Sequence, residues 1–260
     1  MYENIKEEIM VKTHFGCEIS DIARNVIISP VWSLESFIEK AETVKKEFKG
    51  WYKGVTITYK GKDITIINSG IGAPLTGDCV IALGYTPCEN IFFSGSAGGI
   101  NDEYDFGDIM ISSSAIIGEG FSRFHRDSIR KDCFGEEVNG CDELAEILFN
   151  KASIHAEELG VSVYKGRIFS TDSILGENKE SFDFMLEKGC DAVEMELSAV
   201  FTASKAIGRN AVGLITISDL PLKYKSLFEG TGDNDELNYK NSKKMLPYIL
   251  LQTALETYGN

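Results

Sequence analysis

The sequence predicts an α/β protein: a single domain over residues 1–260, a three-layer sandwich whose mixed, mostly parallel central sheet is flanked by helices. Three observations predict it. Short β-branched runs alternate with longer helix-period segments. Several of those runs (NVIIS, NIFFS, AVGLITI) are apolar without alternation, the mark of strands covered on both faces. No repeat, low-complexity stretch or Pro/Gly/Ser-rich linker interrupts the chain.

Taken in order, Asn25–Ser29 reads as the first strand. Leu34–Phe48 reads as an amphipathic helix, with Leu34, Phe37, Ile38, Ala41, Val44 and Phe48 on one stripe. Val55–Tyr59 and Asp63–Asn68 flank Lys60-Gly61-Lys62 as a hairpin. After Ser69-Gly70-Ile71-Gly72, Pro74 suits the first turn of a helix reaching about Gly84. Asn90–Ser94 is a buried strand ending in the glycine cluster Gly95-Ser96-Ala97-Gly98-Gly99. Asp108–Ile117 and Ser162–Phe169 read as strands, with Asp142–Leu159 a helix between them. Asp191–Gly208 holds a strand-to-helix junction, Ala211–Ile217 is a buried strand, and Asp235–Tyr258 is the closing helix. In such sheets ligands bind at the carboxyl ends of the strands.

Composition limits the function. Lys and Arg number 26 against 40 Asp and Glu, a formal charge of −14, which disfavours a nucleic-acid partner. No apolar run approaches the roughly 18–20 residues of a membrane span, so no membrane association is expected. The charged N-terminus has no apolar signal core. A cytoplasmic location is expected. The six cysteines lack metal or redox spacing and read as free, mostly buried thiols.

Three strand ends carry chemistry. Ser94–Gly99 (SGSAGG) lets backbone approach a ligand and can form an anion-binding nest, although such clusters also serve as tight turns. In Val193–Glu196 (VEME), one glutamate is explained by the macrodipole of the following helix. The other is free to accept bonds from vicinal hydroxyls, with Met195 as the apolar surface beneath a sugar. Ser218-Asp219 ends a buried strand, where an aspartate serves either a turn or catalysis.

The ordered set SGIGAP (Ser69–Pro74), SGSAGGI (Ser94–Ile100), GDI (Gly107–Ile109), AVEME (Ala192–Glu196) and ISD (Ile217–Asp219) resembles the nucleoside phosphorylase family. That family includes purine nucleoside phosphorylases, uridine phosphorylases and methylthioadenosine/S-adenosylhomocysteine nucleosidases. The resemblance implies cleavage of a purine-type nucleoside at its N-glycosidic bond, with phosphate as co-substrate and no cofactor or metal. It implies that Glu196 binds the ribose hydroxyls, Met195 packs on the sugar and Glu194 orients the pocket. Ser96, Ala97 and Gly98 line the sugar and the incoming nucleophile, with Ser96 also at the phosphate. Asp219, beside Ser218, protonates the leaving purine. Uridine-cleaving members resemble a different pattern, with a Gln/Arg pair where Gly176-Glu177-Asn178-Lys179 stands here, which favours a purine.

His14 matches an N-terminal histidine that reaches a neighbouring subunit's site in several members, implying a homodimer or trimer of dimers. Arg123 and Arg126 lie in a segment, GEGFSRFH, resembling a loop near the site, and with Lys223 are the cations available for phosphate.

The chain departs from the pattern in its first loop. Ser29–Leu34 lacks the phosphorylase arginine, and Phe93 occupies the place of a second. Ile174 stands where a base-stacking aromatic is usual, with Phe169 or Tyr224 as replacements. Two further readings therefore stand: a hydrolytic nucleosidase using Glu35 to activate water, and a non-catalytic nucleoside-binding protein.

Overall fold

Consecutive side chains of the buried strands feed two separate cores, which makes the architecture three-layered. In β1 (Asn25–Ile28), Val26 and Ile28 join one apolar cluster while Ile27 joins the other; in β5 (Asn90–Gly99), Ile91 and Phe93 oppose Phe92 in the same way. The first cluster is covered by α1 (Glu7–Phe15), α3 (Ala73–Leu83) and α6 (Leu197–Ala206). The second is covered by α4 (Asp142–Leu159) and α7 (Asp233–Glu256). A strand run must be apolar throughout when both faces are covered, as the sequence predicts. The computed structural model describes residues 5–230 and 232–258.

The remaining elements are α2 (Glu35–Ile38), β2 (Thr43–Lys49), β3 (Lys53–Tyr59), β4 (Lys62–Asn68), β6 (Ile109–Gly118), β7 (Glu137–Asn139), β8 (Val163–Thr171), α5 (Lys179–Glu187), β9 (Ala192–Glu194) and β10 (Asn210–Asp219). Parallel pairings join β4, β1, β5 and β10 in that order, and join β6, β8 and β9. Antiparallel pairings form the β2–β3–β4 meander and link β10 to β6, β5 to β9 and β6 to β7. β5 is the branch point. Its first half pairs β1, its end pairs β9 through Gly98 and Gly99, and β10 lies along its other edge. The sheet is thus open at one end and closes at the other into a ring of β5, β10, β6, β8 and β9.

Two expectations are corrected. Leu34–Phe48 is not one helix: α2 stops at Ile38, and Thr43–Lys49 is the edge strand β2. Phe48 is buried from that strand, and Gly54 is its cross-strand partner. A Cβ on Gly54 would lie 2.3 Å from the Phe48 ring, so the glycine creates the space that fixes the strand. Lys45, Lys46 and Lys49 line this outer strand, a common protection of a sheet edge. Second, Gly95–Gly99 makes no tight turn; β5 continues through it, paired with β10 and β9. α1 and α5 were not anticipated. α5 has a clear local cause, since the Asn178 side chain accepts from the amides of Glu180 (2.9 Å) and Ser181 (3.2 Å). Among the described residues, no helix is long and apolar enough to cross a membrane.

Candidate active site

At the closed end of the sheet, a cavity of about 470 Å³ lies between the carboxyl ends of β5 and β10 and the β9–α6 junction. Ser96, Ala97, Gly98, Ile174, Glu194, Met195, Glu196, Ser218 and Asp219 all border it. The three residues on which the sequence reading depends most, Met195, Glu196 and Asp219, therefore share one cavity although they come from distant parts of the chain.

The two glutamates of VEME divide their tasks. Glu194 is buried and points back at the start of α6, where its Oε2 accepts from the amides of Glu196 (2.7 Å) and Leu197 (2.8 Å). The Ser170 hydroxyl donates to its other oxygen and itself accepts from the Ser198 amide at 2.8 Å. Glu194 thus caps a buried helix whose first N–H groups have no intrahelical partner. Glu196 turns the other way. Its Oε1 accepts from the Gly72 amide at 2.6 Å, just ahead of α3, so the carboxylate lies between the N-termini of α3 and α6. Burial raises the proton affinity of both; the charge of Glu196 adds to the rise at Glu194, and the Gly72 amide partly offsets it at Glu196.

Asp219 ends β10 opposite Gly98, where the β5–β10 register shifts. The Ser218 hydroxyl donates to its Oδ1 at 2.9 Å and also lies 3.2 Å from the Ala97 carbonyl. A Cβ on Gly98 would meet Pro221 at 3.3 Å and Asp219 Oδ2 at 3.4 Å, so the glycine permits the close approach of the β10 terminus. Burial pushes the Asp219 carboxyl up, with the Ser218 bond opposing the shift. A proton-donating acid requires that direction.

Other sequence candidates lie elsewhere. Arg123 pairs with Asp132 at 2.9 Å and Arg126 with Glu136; neither borders the cavity, because the turn that carries them directs both toward the acidic 132–136 loop. Lys223 donates to the Asp102 and Tyr104 carbonyls at 2.7 and 2.8 Å and ties down its own loop. Glu35 is exposed, accepts from the Ser33 hydroxyl and lines a separate depression with Trp32 and Asp78. Phe93 is buried in the helix-covered core. Phe169 packs against Phe184, and Tyr224 is exposed; the aromatics at the cavity are instead Phe182, Phe228 and Tyr239. His14 does not border the cavity of its own chain. It hydrogen-bonds the Met10 carbonyl at 2.8 Å and packs against Trp51 with ring centroids 4.6 Å apart.

Two carboxylates at the cavity escaped the sequence reading as candidates, Glu177 and Glu229. Among the described residues lining the cavity, Glu177, Glu194, Glu196, Asp219 and Glu229 are carboxylates, and none is Lys, Arg or His. No group of His, Cys, Asp and Glu suited to a metal occurs among the described residues.

A partly closed α/β sheet with a strand-end glutamate and aspartate around one cavity defines a class, and comparison with known proteins supplies the family. The profile of the Phosphorylase superfamily matches residues 23–250. The chain belongs to that superfamily. A purine nucleoside phosphorylase DeoD-type of Exiguobacterium sp. is 29% identical over 258 residues, covering 95% of this chain and 99% of the relative. A purine nucleoside phosphorylase DeoD-type of Clostridium perfringens is 31% identical over 217 residues, covering 79% and 86%. The fold is similar to that of purine nucleoside phosphorylase from Toxoplasma gondii in complex with immucillin-H, with a TM-score of 0.72 at 21% identity over 91% of this chain and 93% of that one. It is equally similar to uridine phosphorylase from Vibrio fischeri ES114, with a TM-score of 0.72 at 22% identity over 92% and 95%.

Proposed function

We propose that this chain is a purine nucleoside phosphorylase, cleaving the bond between ribose C1′ and the purine and passing the ribosyl group to phosphate. The observation that carries the proposal is the convergence of Met195, Glu196 and Asp219 on one cavity. Breaking the glycosidic bond leaves positive charge on the sugar and sends the bonding pair into the purine. Glu196 accepts from the ribose hydroxyls and, with Glu194 behind it, places negative charge beside the developing cation. Met195 supplies the surface under the sugar. Asp219 gives its proton to the ring nitrogen of the departing base. Ser96, Ala97 and Gly98 border the space the acceptor would take.

The active form is a homo-oligomer in which His14 serves a neighbouring cavity. Trp51, which packs on His14, is 71% exposed, and Ile71, which borders the cavity, is 58% exposed. A second copy would cover such exposed apolar side chains. The enzyme works without a cofactor, in the cytoplasm.

One observation favours a second reading, hydrolysis: no cation lines the cavity among its described residues, and phosphate is normally held by cations and amides. Base release from inosine and adenosine, measured with and without phosphate, decides. Release that requires phosphate, with ribose 1-phosphate as product, supports phosphorolysis. Equal rates without phosphate would replace it with hydrolysis.

A further inference from the structure

The segment GEGFSRFH brings no cation to the cavity, since Arg123 and Arg126 turn to Asp132 and Glu136, but its Glu119 is buried, at 5% exposure. Both oxygens of Glu119 are engaged. Oε2 accepts from the Ser122 amide at 3.0 Å. Oε1 accepts from the Ser122 hydroxyl and, at 2.9 Å, from the hydroxyl of Ser198, the second residue of α6. The Ser122 hydroxyl also lies 2.9 Å from that of Thr202, one turn further along α6. Ser198 has a second tether: its amide donates at 2.8 Å to the Ser170 hydroxyl, which donates to Glu194. Two buried carboxylates therefore grip the first turn of α6, Glu194 from the strand before it and Glu119 from the loop after β6.

The same loop reaches α3. The Phe121 ring fills the space left by Gly77, where a Cβ would lie 2.4 Å from it. The Gly120 amide donates to Asp172 at 3.0 Å, two residues before Ile174 at the cavity. α3 and α6 are the two helices whose N-termini enclose the Glu196 carboxylate, which accepts from the Gly72 amide at 2.6 Å ahead of α3 and stands itself at the start of α6. Residues 119–122 thus join the two helices that frame Glu196. Burying a carboxylate costs more than burying an apolar side chain of similar volume, so packing alone does not account for Glu119. We propose that Glu119 is a positioning residue for this site: by tying Ser198 of α6 to the loop that packs on α3, it sets the gap in which Glu196 meets the ribose hydroxyls. A misplacement of about 1 Å in such a group can cost about a hundredfold in rate. This deepens the proposed activity and rests on its placement of ribose at Glu196.

The test is the ratio of kcat/KM for adenosine to that for 2′-deoxyadenosine, with the inosine pair in parallel, in the wild type and in Glu119→Ala, Glu119→Gln, Ser198→Ala and Glu196→Ala. Loss of folded protein lowers both members of a pair alike, whereas a displaced Glu196 acts more on the member that carries the 2′-hydroxyl. The wild type is expected to favour the ribonucleoside about tenfold or more, the worth of one charged hydrogen bond. Glu119→Ala and Ser198→Ala should lower that preference about threefold or more, and Glu119→Gln, which keeps one acceptor oxygen, by less. Ser198→Ala leaves the bonds of Glu194 to the Glu196 and Leu197 amides in place, and it carries the test should Glu119→Ala not fold. A preference lost in Glu196→Ala but kept in Glu119→Ala and Ser198→Ala overturns the positioning role and leaves the ribose placement standing. A preference that Glu196→Ala does not change removes ribose from Glu196, and the positioning role with it. If no nucleoside is cleaved, the proposed function fails, and calorimetric affinities for the same four nucleosides supply the ratio and decide the role of Glu119 in the same way.

Discussion

Glu194 accepts hydrogen bonds from the amides of Glu196 (2.7 Å) and Leu197 (2.8 Å), so the first glutamate of VEME holds the second in place. Two like charges two residues apart are stable here because they diverge: one caps α6, the other meets the Gly72 amide at the cavity.

Replacing Glu194 by Ala leaves these buried amides without an acceptor. The expected loss is about 2 kcal/mol or more, read as a lower midpoint in thermal or denaturant unfolding. Glu194→Gln keeps an oxygen for the amides and should lose less. An Ala variant as stable as the wild type would contradict the cap.

Asp219→Asn removes the proton that the leaving base takes. Turnover should fall by about 10²–10⁴-fold while nucleoside affinity changes little. Steady-state and binding measurements on the same preparation separate the two effects.

The glycines of two strands make opposite predictions. At Gly54 a Cβ would lie 2.3 Å from the Phe48 ring, so Gly54→Ala should destabilise the chain by about 1–3 kcal/mol and leave the ratio of substrates unchanged. At Gly98 the contacts are 3.3 Å to Pro221 and 3.4 Å to Asp219, close enough to displace the acid with little strain. Gly98→Ala should therefore lower kcat/KM far more than it lowers the unfolding midpoint.

Stability should also depend on pH through Glu177. Its carboxyl ionises near the ordinary value of 4.5 when unfolded and near about 7 when folded. Below 4.5 both states hold the proton and the group costs nothing; between 4.5 and about 7 the unfolded chain releases it first, so stability declines as pH rises. Unfolding midpoints across this window should fall less steeply in Glu177→Gln than in the wild type. Parallel profiles would contradict the assignment.

The parts of the fold that were legible in sequence are those in which local pattern and tertiary environment agree. NVIIS, NIFFS and AVGLITI are apolar throughout because helices cover both faces. Pro74 and the long α4 follow their helical signals. Leu34–Phe48 misled because a helical stripe and an edge strand place Phe48 inward alike, and the choice depended on Gly54, distant in pattern though adjacent in space. The glycine cluster read as a turn because nothing local reveals that β9 and β10 pair with it. Met195, Glu196 and Asp219 could be chosen from sequence, since the first two lie at a strand-to-helix junction and the third ends a buried strand. Glu177 could not, because its distinguishing feature is burial at the cavity it shares with Asp219, a product of the β8–α5 turn.

The most direct test of a shared pentose-and-purine cavity is calorimetric binding of a purine nucleoside to the wild type, Glu196→Ala and Asp219→Asn, alongside base release. The prediction is that Glu196→Ala weakens binding about tenfold or more, through loss of charged hydrogen bonds to the ribose. Asp219→Asn should bind nearly as the wild type does and release almost no base. Equal affinity and equal turnover in all three proteins would contradict the placement of ribose at Glu196 and of the leaving base at Asp219.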